Sequence, residues 1–290
     1  MLLWGEGGGC WQGETERDLV WRKHLAGRWE SRFCRLDGVK RFFLAPESWD
    51  NASPVLCEGE SHHALHVMRL RVGDRLIVFD GCGREAEAVI DSVIYGLARL
   101  QVGGVRYQSA PGAEIVLVQA LPRGKNMDLI IQKAVELGAA RVCPVLSERS
   151  VIRLDDKEAN QKLERWRQVA LEACKQSGQN WLPRIDEVRR LESFFSGVEL
   201  PDWRLIGSLQ PDARPIKRVL REFVERRGRL PGGVAVFIGP EGDFTPAELA
   251  LAKANGCQPV TLGPIVLRTE TAALYCLSVL AHELFMGEGE

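Results

Sequence analysis

From Glu114 onward, short β-like apolar runs alternate with amphipathic stretches, and this alternation constrains the fold more than any other feature of the chain. Runs at Glu114 to Ala120, Arg141 to Leu146, Trp203 to Ser208, Val234 to Ile238 and Gln258 to Leu262 predict strands. Between them Met127, Ile130, Ile131 and Ala134 recur at helical spacing before Gly138 as C-cap. Leu163 to Lys175, Ile216 to Arg227 and Pro246 to Ala254 also predict helices. Such alternation implies an α/β fold with a mainly parallel sheet covered on both faces, because parallel strands need crossover connections. The last helix, Thr269 to Phe285, is apolar on nearly every side except Glu270, His282 and Glu283, so it needs burial inside the domain or against a partner chain.

Upstream the texture differs. Between Arg41 and Ala110 short apolar segments such as RLIVFDG at Arg75 to Gly81 are punctuated by Gly and Asp, which predicts a small β-rich domain over 41–110 and an α/β domain over 111–290. A chain of 290 residues is long enough for two such units. Residues 1–40 have no strand or helix periodicity and contain Gly7 to Gly9, so they read as an N-terminal extension outside the packed domains.

Composition narrows the function. Lys plus Arg number 38 against 39 Asp plus Glu, so no global field draws the molecule to nucleic acid, and any such binding needs a local patch. The longest strongly apolar run, Ala272 to Ala281, is about half of the roughly 20 residues that cross a bilayer. Acidic residues among the first 40, without an apolar segment, suit neither a secretory signal nor a transit peptide. The eight cysteines form no CxxC pair, which argues against a disulfide framework or structural zinc and favours a reducing cytoplasm. His62, His63 and His66 have no HExxH context and no nearby cysteine, so no metal site is expected.

Two loops concentrate the chemistry. Val234 to Ile238 runs into Gly239, Pro240, Glu241, Gly242 and Asp243 before a helix opened by Thr245, Pro246 and Glu248, a capping box with proline at N1. Gln258 to Leu262 ends in Gly263, Pro264, Ile265, Val266, Leu267 and Arg268 before a second helix start. Loops at the carboxyl ends of neighbouring parallel strands form one crevice, and the apolar residues spent in the second loop suit a flat apolar ring such as adenine. Gly124 and Lys125 end no Walker A loop, since Gln119 stands where its first glycine belongs, and no GxGxxG follows a strand. Arg69, Arg71 and Arg75, with Arg123 and Lys125, make local basic patches suited to RNA phosphates.

The segments QALPRGKNMDLIIQKAVELGA, SERS, EACKQSGQN, FIGPEGDFTPAELA and LGPIVLRTETAAL, in this order, resemble the bacterial 16S ribosomal RNA uridine-N3 methyltransferases. The resemblance runs from Arg41, with its RFFL start and HHALHVMRLRVGDRLIVFDG, to near the C-terminus. It implies an N-terminal PUA-like β-barrel for RNA, a C-terminal SPOUT domain with a deep trefoil knot, S-adenosylmethionine as cofactor, a homodimer, and 16S RNA of the small ribosomal subunit as partner. Carried over by motif, Ile238, Gly239, Pro240, Glu241, Gly242, Leu262, Gly263, Val266, Leu267 and Thr269 should surround the cofactor, with Ser208, Leu209, Gln210 and Pro211. Arg41, Arg69, Arg71, Arg75, Arg123 and Lys125 should meet RNA. Arg268 should stabilise charge developing on uracil as its N3 proton leaves, with Glu270 orienting that guanidinium or relaying the proton. Asp243 departs from the family where many members have a second glycine, and Gln179 where several have arginine.

Two other readings stay open at this point: a SPOUT methyltransferase acting on another RNA or on a ribose hydroxyl, and a PUA-type RNA-binding protein without catalysis. The family-like segment begins at Lys40, which predicts that residues 1–40 are dispensable and that Val39 marks an alternative start. Mass spectrometry of the native protein checks the start: a peptide covering Met1 to Arg17 refutes it. Loss of stability on truncation to Val39 refutes dispensability.

Overall fold

The computed structural model describes residues 39–49, 53–124, 126–150 and 155–285. The expectations for residues 1–38 and for Lys125 lie outside them. In the first part, β1 (Arg41–Phe43), β2 (Arg75–Phe79), β3 (Arg84–Ile94) and β4 (Leu97–Tyr107) form one mixed sheet in that order, β1 parallel to β2 and the rest antiparallel. A helix α1 (Glu58–His62), continued by a π turn over His63–Val67, makes the crossover that the parallel pair requires. Period-two burial of Ala86, Ala88 and Ile90 on β3 faces Leu76 and Val78 of β2 and packs with Phe42, Leu56 and Ala64. Leu56 N–H donates to Ala98 O and Leu100 N–H to Pro54 O, so the segment before α1 returns along the outer edge of β4 and curls the sheet further.

The second part has a sheet of β5 (Glu114–Ala120), β6 (Arg141–Leu146), β7 (Arg184–Ile185), β8 (Arg189–Arg190), β9 (Trp203–Gly207), β10 (Arg214–Pro215), β11 (Gly233–Ile238) and β12 (Cys257–Thr261). Its order is β10-β12-β9-β11-β5-β6-β7, with β8 also on β6, and every pairing is parallel. Helices α2 (Asn126–Glu136), α3 (Asp156–Ser177), α5 (Ile216–Arg227) and α7 (Thr269–Phe285) cover one face, meeting Ile115, Leu117, Val142, Val234 and Val236. The alternate residues Val116, Val118, Val145, Ala235 and Phe237 pack on α4 (Leu191–Gly197) and α6 (Pro246–Ala254). Burial of both faces explains why these strands read as continuous apolar runs.

One expectation changes and one narrows. Helix α3 begins seven residues before Leu163, because Asp155 caps it by accepting from Glu158 N–H at 2.7 Å while its first turns are polar and solvent-facing. Helix α7 is not enclosed on all sides within the chain: Ala273, Cys276, Leu277, Leu280 and Leu284 are buried, whereas Thr271, Tyr275, Ser278 and His282 are exposed. Among the described residues no helix is long and apolar enough to cross a membrane.

The two sheets are joined by a polar lock and a close backbone approach. Lys175 of α3 places its ammonium 2.9 Å from Glu60 of α1 and 2.7 Å from Glu172, while the other Glu60 oxygen accepts from Phe43 N–H at 2.9 Å. Burial alone lowers the Lys175 pKa, but its hydrogen bonds and charge contacts with Glu172 and Glu60 together hold it above the ordinary value, so the ammonium stays charged at neutral pH. Glu60, His63 and Glu172 converge closely, and the Lys175 ammonium already serves as their cation. Nearby, Trp181 lies against the β2–β3 turn, where a Cβ on Gly83 would come within 2.7 Å of the indole ring. Asp80 shapes that turn by accepting from the N–H groups of Cys82 and Arg84.

Replacing Lys175 by Ala leaves Glu60 buried without its partner charge, a change that costs about 3–5 kcal/mol. Thermal or denaturant unfolding of Lys175→Ala should report a loss on that scale; a loss under about 1 kcal/mol would mean that water reaches Glu60.

Candidate active site

The loops after β9, β11 and β12 leave the carboxyl edge of the parallel sheet and enclose a cavity of about 240 Å³. Of the cofactor residues expected from sequence, Ser208, Leu209, Ile238, Gly239, Pro240, Glu241, Gly242, Leu262, Gly263, Val266, Leu267 and Thr269 line it. Gln210 and Pro211 do not; they lie farther along the loop after β9. Ile265, one of the apolar loop residues suited to an adenine ring, lines it too, and so do Gly207, Asp243 and Ala272, which the sequence did not point to as cofactor residues.

The 239–245 loop is built by its own polar groups. Asp243 N–H closes a turn onto Pro240 O at 2.9 Å and leaves Asp243 at φ +60°, the left-handed region. This explains the departure from glycine: an aspartate tolerates that region when its short side chain bonds locally, and here Oδ1 accepts from Phe244 N–H at 2.8 Å. Downstream the capping box forms as expected, Glu248 N–H donating to Thr245 Oγ1 and Thr245 N–H to Glu248 Oε2. The other Glu248 oxygen accepts from Glu148 N–H at 2.8 Å, which ties the SERS loop to the start of α6. From that loop Arg149 donates to the carbonyl of Gly242.

In the 262–268 loop Gly263 has φ +123°, a conformation essentially closed to side-chain-bearing residues. Ile265 and Val266 are more than 70% exposed, and Leu209 is also exposed across the cavity, so an apolar rim faces solvent. The loop ends where Thr269, buried at the first turn of α7, donates its hydroxyl to Gly239 O at 2.6 Å. Gln119 on β5 donates to the same hydroxyl.

The charged groups divide sharply. Arg268 is exposed at the entrance to α7, and no described residue accepts a hydrogen bond from its guanidinium or pairs with it. Glu270 is not held by Arg268; it accepts instead from Asn126 Nδ2 at 3.3 Å, so the expected orienting contact is replaced by one to the start of α2. Arg123 is exposed, and its backbone N–H donates to Glu241 at 2.8 Å, bringing the loop after β5 to the cavity. Arg69 and Arg71 are exposed in the connection before β2, and Arg75 is exposed at the start of that strand. Arg41 corrects the sequence reading: only 6% of its side chain is exposed, its guanidinium bonds Glu85 and Asn180 and lies over the Phe79 ring, so it joins the two sheets and is not free for phosphate. Burial pushes the thiols of Cys174, Cys257 and Cys276 up to about 12, so these offer no thiolate nucleophile.

The residues that sequence reasoning missed act through others: Asn126 on Glu270, Arg149 on Gly242, and Gln119 on Thr269. Gln119 carries a signal of its own, an amide in an otherwise apolar strand.

Comparison with known proteins agrees with this geometry. Residues 109–281 match the profile of an RNA methyltransferase domain, and 56–93 that of an RNA methyltransferase PUA domain. The chain is 31% identical over 258 residues to ribosomal RNA small subunit methyltransferase E of Bacillus subtilis, covering 87% of this chain and 100% of that protein. It is 32% identical over 238 residues to the Synechocystis protein of that name, covering 82% and 76%. Among solved structures, a Legionella pneumophila methyltransferase with bound SAM superposes with a TM-score of 0.75 at 29% identity, covering 83% of this chain and 96% of that one. The Neisseria gonorrhoeae ribosomal RNA small subunit methyltransferase E bound to S-adenosyl methionine gives 0.72 at 28% identity over the same shares. A PUA domain precedes an α/β methyltransferase domain whose strand-end loops form the cavity, and the chain belongs to the ribosomal RNA small subunit methyltransferase E family.

Proposed function

We propose that the protein methylates N3 of a specific uridine in 16S ribosomal RNA, within the small ribosomal subunit, using S-adenosylmethionine. The observation that carries this reading is Arg268 beside the cavity, exposed and unpaired among the described residues. Packing does not account for it, and the helix dipole disfavours a cation at the start of α7. A group kept there at a cost is suited to act on a substrate.

The cavity fits the cofactor. Backbone at Gly263 lets a ligand approach without a side chain in the way, and Ile265, Val266 and Leu209 present apolar surface suited to an adenine face. When bound, S-adenosylmethionine supplies a methyl group on a positively charged sulfur. The chain's residues must then prepare the base, since uracil N3 carries a proton at neutral pH and becomes nucleophilic as that proton leaves. Arg268 pairs with the negative charge developing on O2 or O4, and Glu270, held by Asn126, accepts or relays the N3 proton. Arg123 on the adjoining loop holds the RNA backbone, joined by Lys125, two residues later in the sequence, and Arg69, Arg71 and Arg75 hold it on the PUA domain.

The proposal includes the knot, the dimer and residence in the cytoplasm. Chain leaving β12 passes β9 to reach β11 and β5, where α7 packs and Thr269 bonds Gly239, which supports threading of the last segment. Exposed Tyr275 of α7 and exposed Leu129 of the contacting helix α2 support a homodimer through this side.

Reverse transcription across 16S RNA from cells lacking the gene tests the reaction: a methyl on N3 blocks pairing, so the stop it causes should vanish, and a stop that persists refutes the assignment. Arg268→Ala should lower the single-turnover methylation rate by about a hundredfold or more with cofactor affinity little changed. Arg268→Lys should recover little, because a point charge does not reproduce a planar fork. Near-normal rates for Arg268→Ala at saturating cofactor and RNA would move the role to Arg123 or Lys125. Light scattering at micromolar concentration should report a dimer; a monomer with full methyl transfer would refute the interface.

A further inference from the structure

Gln119 is fully buried in β5, between apolar neighbours on both faces of the sheet. Its carboxamide nitrogen donates to Ala120 O at 2.9 Å and to Thr269 Oγ1 at 3.0 Å. A carbonyl oxygen only accepts, so Ala120 O fixes which end of the amide stands at this point; the flipped amide would set two acceptors against each other. The Thr269 hydroxyl has one proton, and its 2.6 Å contact with Gly239 O, again acceptor-only, commits that proton to Gly239. Proton direction is therefore determined along the whole chain, from Gln119 to Thr269 to Gly239. The arrangement leaves Gln119 Oε1 buried without a partner among the described residues, a cost that packing alone does not justify.

We propose that Gln119 is a positioning residue for the cofactor: through Thr269 it holds the Gly239 carbonyl and thereby sets the backbone of the 239–243 loop against the bound molecule. The leverage comes from the sequence. Gly239 is the most freely rotating residue type, and Pro240 brings no N–H, so the Gly239 carbonyl is the only hydrogen-bonding group of the peptide that opens the loop. Pro240 O then receives Asp243 N–H, so the orientation set at Gly239 passes into the turn. Both ends of the Thr269–Gly239 bond line the cavity, whereas Gln119 does not and acts only through Thr269.

This inference rests on the cofactor part of the proposed function and not on the identity of the methylated base. Titration calorimetry of the full chain with S-adenosylmethionine, alongside thermal unfolding, tests it without RNA. Gln119→Met, similar in shape but unable to donate, should weaken binding about tenfold; in a separate turnover assay with RNA, KM for the cofactor should rise in step and kcat at saturation should change less than threefold. The same substitution placed on Thr269→Val should add little, since the relay is already broken. Gln119→Asn, whose amide is one methylene too short, provides a second variant and should also bind more weakly. Binding within twofold of wild type despite a lower unfolding temperature would make Gln119 structural and overturn the proposal. An equal loss in the Thr269→Val background would show that it does not act through Thr269. No binding by the wild-type chain would overturn the cofactor reading itself, whereas binding without N3 methylation would leave this inference standing and refute only the substrate.

Discussion

The bond from the Thr269 hydroxyl to the Gly239 carbonyl is the constraint on which the catalytic half depends. It joins the first turn of the terminal helix to the end of β11, although the chain reaches that helix from β12, two strands away. The 262–268 loop must span that gap, and its left-handed-side glycine and apolar rim are the means by which it does so beside a cavity. With the bond in place, two loops far apart in sequence become adjacent walls. The fixed terminal helix also carries Arg268 and Glu270 to the same edge.

A second constraint operates between the sheets. Exposed pairs such as Arg106–Glu87 contribute at most about 1 kcal/mol, because water competes for both charges. Glu60 and Lys175 are shielded, so each demands the other once folding has removed its solvent. Arg41 repeats the logic with Glu85, Asn180 and the face of Phe79. Such groups specify how the two sheets meet more than they add net stability, since a well-packed apolar contact would hold the sheets at least as well.

Much of this was legible in the chain. Parallel strands buried on both faces leave apolar runs, and β5, β6 and α7 fall where periodicity put them. The two-residue strands β7, β8 and β10 left no trace, because two residues show no alternation and their pairing is set by the neighbouring strand. The cavity was legible because glycine, proline and misplaced apolar residues in loops advertise backbone use. Arg41 was not: an arginine at a strand start looks the same whether it faces phosphate or a buried carboxylate, and only the fold brings Glu85 and Asn180 to it. Asn126 was hidden for the same reason, its partner lying 144 residues away, while Gln119 stood out as an amide in an apolar strand but its partner lies 150 residues away.

The Trp181 contact at Gly83 has a consequence for recognition. With the indole seated on the β2–β3 turn and Arg41 and Lys175 closing the sides, the junction between the sheets has little freedom to bend. The exposed arginines at and before the start of β2 and the cavity of the other sheet are then held at a fixed separation, like the two jaws of a gauge. On the proposed reading that these arginines grip RNA, a polynucleotide engaging both must already be folded so that its grip point and its reactive base match that span. Selection would then fall on the substrate's three-dimensional shape, and a short linear fragment carrying the right nucleotide sequence would satisfy only one jaw.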